Sequence, residues 1–154
     1  MSKIERSILE FLHDILEFAT GLQRNISSIS KQDFFQNEMA INYAERNFEK
    51  IGEAVSQIQK RDPNILFIGN NNKSYWENTK GVRNRIIHEY LGTSLDMIYD
   101  ICVYDLDELK EYVQIVIDYL EKFIVISFSI LFFEPLAVFL AAFKTINFII
   151  TSLD

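Results

Sequence analysis

The chain is poor in the residues that build small-molecule and metal sites. It has a single cysteine, Cys102, so an internal disulfide and a cysteine-rich zinc site are both excluded. It has two histidines, His13 and His88, and its carboxylates show no ligand spacing, so neither a metal nor another cofactor is expected. Its five glycines are isolated. No glycine-rich loop is available to cradle phosphates, and the chain is not expected to be a nucleotidyltransferase itself. Val/Thr-rich alternation and Asn-Gly turns are missing, which argues against a β architecture. The first residues, Ser2 to Arg6, run straight into a charged amphipathic pattern with no apolar leader. At 154 residues the chain is too short for an α/β barrel, and its 49% apolar and 24% charged content excludes a disordered chain. The net charge of −7 argues against a simple basic coat for nucleic acid.

These averages conceal two regions. Residues 1–122 are 43% apolar, whereas 22 of the 32 residues in 123–154 are apolar. The second region holds 7 of the 13 phenylalanines and three charges, Glu134, Lys144 and Asp154. The expected organisation is a helical domain over 1–122 and an apolar extension over 123–154.

Within the first region apolar residues recur at helical spacing. One stripe runs Ile4, Ile8, Phe11, Leu12, Ile15, Phe18, Ala19, Leu22, Ile26 and Ile29. A second runs Phe34, Ala40, Tyr43, Ala44, Phe48, Ile51, Val55 and Ile58, interrupted by Gly52 where a neighbouring helix is expected to come close. Asp62-Pro63 ends it, because a residue before proline avoids the helical region. Residues 61–73 form a loop whose Ile65, Leu66, Phe67 and Ile68 are expected to dock on the helices. Capping boxes at Ser74/Glu77, Thr93/Asp96 and Asp105/Glu108 predict helices over about 75–90, 94–103 and 105–122. The expected fold is all-α, an antiparallel bundle of four long helices and one short one.

The chemistry concentrates between Trp76 and Asp107. His13 occupies a surface position of the first helix, whereas His88 follows Arg83 by five residues and precedes Tyr90 by two. Taken singly, each of these residues has an ordinary structural explanation, such as a surface ion pair for Arg83 or a half-buried helix-end tyrosine for Tyr90. Together they lie in a basic stretch. Residues 73–88 carry Lys73, Lys80, Arg83 and Arg85 against Glu77 alone, a local +3 in an acidic chain. A phosphate-bearing ligand favours that arrangement.

The segment Arg83-Asn84-Arg85-Ile86-Ile87-His88-Glu89-Tyr90 has the form R-x4-H-x-Y. With Arg46-Asn47-Phe48-Glu49-Lys50-Ile51-Gly52-Glu53-Ala54, Trp76 and Asp105-Leu106 in order, it resembles HepT-like toxins of the HEPN superfamily, the DUF86 group, over about residues 1–122. The resemblance implies a metal-independent ribonuclease that is the toxin of a type VII-like toxin–antitoxin pair and works in the cytoplasm. It implies a homodimer with two motifs facing one cleft. The implied partner is a minimal nucleotidyltransferase that silences the toxin by attaching AMP to Tyr90. Arg83 and His88 become the catalytic pair, with Asn84, Arg85 and Lys80 as supporting or phosphate-binding residues. An alternative of another class is a non-catalytic helical module that binds nucleotides or the nucleotidyltransferase.

Residues 123–143 form a 21-residue apolar run between Lys122 and Lys144, a length that suits a membrane span. Glu134-Pro135 near its middle opposes one, because proline bends or breaks a helix. Three readings stay open. The run is a translated extension without selected structure, a membrane-associated segment, or a helix packed on the bundle or in an oligomer interface.

Overall fold

A computed structural model describes residues 6–70, Trp76, Thr79, Gly81 and 95–151, with side chains as far as Leu131 apart from Asn70 and Ile130. Among the described residues every regular element is helical, so the fold is an all-α bundle. The chain divides into two compact units, Met1–Asp118 and Tyr119–Asp154.

Helix α1 spans Ile8–Ile26. It starts at Ser7 through a capping box with Glu10, three residues on. The Glu10 backbone N–H donates to Ser7 Oγ at 3.2 Å, and the Ser7 N–H donates to Glu10 Oε2 at 2.6 Å. The predicted apolar stripe is the buried face: Phe11, Leu12, Ile15, Ala19, Leu22 and Ile26. His13 is exposed, as its position predicted.

The second stripe is not one helix. Phe34 belongs to a six-residue helix α2, Lys31–Gln36, capped by Ser30. Asn37 then leaves helical geometry at φ −105°, ψ 88°, and its side chain accepts the Ala40 N–H at 3.1 Å to start α3, Glu38–Arg61. One asparagine thus ends one helix and caps the next, which apolar spacing cannot reveal. The Asp62-Pro63 stop lies where expected, with Asp62 extended after Arg61. α3 buries Ala44, Phe48, Ile51, Gly52, Ala54, Val55 and Ile58 and packs along α1. A close approach between them centres on Gly21. A β-carbon there would lie 2.8 Å from the Tyr43 hydroxyl, which accepts a hydrogen bond from Asn25 Nδ2 at 3.1 Å.

After α3 the chain makes a 3₁₀ turn at Ile65–Asn70. Ile65 and Leu66 dock in the core as expected, but Phe67 is exposed and Ile68 is only half-buried. Gly69 adopts φ 77°, a left-handed conformation that glycine takes without strain.

The expected helix over 75–90 falls largely outside the described residues, and so do the Ser74 and Thr93 caps. Helix α4 spans Leu95–Asp100 and passes directly into a π turn, Ile101–Asp105, then into α5, Leu106–Thr151. Two predictions are corrected here. Asp105 does not restart a helix, since it closes the π turn and Leu106 is already helical at φ −69°, ψ −22°. The buried residues Ile98, Cys102 and Leu106 recur every four positions, a spacing that the wider π turn accommodates while the same face stays inward. The last helix also does not end at 122. It continues to Thr151, passing Pro135 with the loss of one i→i−4 bond.

In the first unit, Leu106, Leu109, Val113, Val116 and Ile117 of α5 are buried. Each such aliphatic side chain contributes roughly 1.5–3 kcal/mol on burial. Beyond the unit boundary the pattern disappears: Tyr119, Phe123, Ile124, Val125, Ile126, Phe128 and Leu131 are all exposed. Among the described residues, no helix is long and apolar enough to cross a membrane, and the described side chains stop at Leu131, inside the apolar run.

Candidate functional site

The residues singled out by the sequence, Lys80, Arg83, Asn84, Arg85, His88 and Tyr90, lie outside the described residues. What the structure gives is their frame: the elements that enter and leave the segment.

On the entry side, Trp76 is buried, 1% exposed, seven residues before Arg83. Thr79 and Gly81 are helical and half-buried. A β-carbon on Gly81 would meet nothing within 4 Å. Before Trp76, the Gly69 turn rests against Ile115 of α5.

On the exit side, α4 is held by long-range contacts. The Tyr99 hydroxyl donates to the Ile29 carbonyl at 2.9 Å, and its ring lies 5.6 Å from that of Phe34. Lys31 Nζ reaches Asp100 at 2.8 Å and Asp96 at 3.0 Å. Those two contacts, that with Asp100 first, hold the Lys31 amine above the ordinary lysine range. All three side chains are well exposed, so the ion pairs add little energy beside the burial of Phe34 and Ile98. They set direction rather than strength. Sequence reasoning missed this tether. Its partners lie about seventy residues apart, and no local spacing signals it.

The string Arg46 to Ala54 is split by α3 into two faces. Asn47, Phe48, Ile51, Gly52 and Ala54 are buried, with Asn47 Nδ2 donating to the Tyr43 carbonyl at 2.7 Å. Arg46 is exposed and pairs with Glu49 at 3.3 Å. Lys50 lies over the Phe18 ring, 4.8 Å from its centroid. Burial, with the neighbouring Glu49 charge, raises the Glu45 carboxyl above its usual range. Of the pair Asp105-Leu106, Leu106 is core and Asp105 is exposed.

Cys102 is buried directly after α4, and burial pushes its thiol up to about 12. A buried thiol that stays protonated at neutral pH is a poor nucleophile.

Comparison with known proteins addresses the whole domain. The family described as "Ribonuclease HepT-like" matches residues 8–116. A protein of Methanocaldococcus jannaschii named a "Putative RNase" is 34% identical over 121 residues, covering 75% of this chain and 100% of its own length. A second of that name from the same organism is 32% identical over 124 residues, covering 77% and 98%. Another, from Caldanaerobacter subterraneus subsp. tengcongensis, is 29% identical over 104 residues, covering 68% and 88%. No solved structure matches. The matched residues include Arg83, His88 and Tyr90 and end two residues short of the first unit's boundary. With a helical bundle of the expected class and a family match over most of its length, the chain belongs to the HepT-like ribonuclease family.

Proposed function

We propose that residues 1–122 form the catalytic domain and that its Arg83–His88 motif cuts RNA without a metal. The family match over residues 8–116, which contains the intact R-x4-H-x-Y string, carries this reading. RNA supplies its own nucleophile. The 2′-oxygen attacks the neighbouring phosphorus while a base takes its proton, and an acid protonates the departing 5′-oxygen. The products are a 2′,3′-cyclic phosphate and a 5′-hydroxyl. One chain carries one motif histidine, so base and acid are His88 and the partner's His88 across a homodimer cleft. Arg83 neutralises charge developing on the phosphoryl oxygens, for which a planar guanidinium is suited. Asn84 orients the histidine or the phosphate, and Arg85 and Lys80 hold flanking phosphates.

In this reading Tyr90 is the point of control. A minimal nucleotidyltransferase, the antitoxin, attaches AMP to its hydroxyl. The added bulk and negative charge stand where an RNA phosphate enters and repel it. The enzyme is the toxin of the pair and acts on cytoplasmic RNA.

Inducible expression of wild type beside Arg83→Ala, His88→Ala and Tyr90→Phe tests this. Wild type is expected to arrest growth with loss of RNA, and the first two variants to be harmless. With purified protein, His88→Ala is expected to lower the cleavage rate by roughly 10²–10⁴. Tyr90→Phe is expected to escape AMP transfer by the antitoxin. Full cleavage by His88→Ala would overturn the acid–base scheme.

A further inference from the structure

We draw no further inference here: the strongest candidate, the exposed acidic surface patch of Asp107, Glu108 and Glu111 on the first turns of α5, carries nothing, because it is a cluster of carboxylates that no second feature among the described residues ties to a ligand, and nothing in the structure shows what covers it.

Discussion

Ile115 of α5 occupies the space beside Gly69 that any other residue's β-carbon would need. Its Cγ2 lies 2.6 Å from that position. Gly69 is also left-handed, at φ 77°. The turn that leads toward the motif is therefore fixed by two independent requirements for glycine, one in the backbone and one in the packing.

Replacing Gly69 by alanine is expected to destabilise the fold by about 1–3 kcal/mol from the backbone strain alone, with the clash against Ile115 adding to it. Chemical denaturation of the variant measures this. Gly69→Ala/Ile115→Ala is expected to recover only the steric part, because the positive φ remains. Full recovery would show that conformation contributes nothing.

The tether of α4 separates energy from direction. Ile98 is fully buried, and Ile98→Ala is expected to cost about 2–5 kcal/mol. Lys31→Ala removes both ion pairs on Asp96 and Asp100 yet is expected to cost less than about 1 kcal/mol, since these groups are well exposed. Equal losses in thermal melts of the two variants would contradict this division.

Cys102 is expected to resist aromatic disulfide reagents at pH 8 in the folded protein. Its thiol is pushed up to about 12 by burial, and the reagent must also reach a closed position. In denaturant it should react within the mixing time of an ordinary thiol. Rapid labelling of the native protein would show that the π turn opens.

The start of α1 is expected to respond to acid. Backbone and side-chain hydrogen bonds from Ser7 lower the Glu10 carboxyl below the usual range. A depressed folded-state value gives stabilisation that is complete above the unfolded pKa and lost as pH falls through the folded one. Removing the cap by Ser7→Ala is expected to cost about 1 kcal/mol at pH 7. The difference between wild type and Glu10→Gln should shrink as the solution is acidified below the ordinary carboxylate range. A difference that does not change with pH would exclude the linkage.

Much of the fold was legible as spacing. The six buried positions of α1 follow its apolar stripe, and the stop at Asp62-Pro63 follows from proline's restriction of its neighbour. The capping boxes were less dependable. Ser7 and Glu10 form a capping box, whereas Asp105 and Glu108 have the same spacing and Asp105 lies inside a π turn. A capping string states only that a helix can start. Whether the preceding residues already continue one depends on the face they bury. The family was legible as an ordered set of residue types, Arg83 to Tyr90 with Trp76 before it. The elements on either side of that segment were not. The break at Asn37 and the contacts of Lys31 with Asp96 and Asp100 and of Tyr99 with Ile29 carry no periodic signal.

The sequence by itself determined the helical class, the inward faces of α1 and α3, the R-x4-H-x-Y string and the contrast between an amphipathic region and an apolar extension. These follow from local composition and period, which act within a few turns of helix. Tertiary structure alone decided where α2 separates from α3, how a π turn joins α4 to α5, why Gly69 must be glycine, and that the helix runs on past Phe123. Those outcomes depend on groups distant in the chain competing for the same space, and no local pattern records that competition.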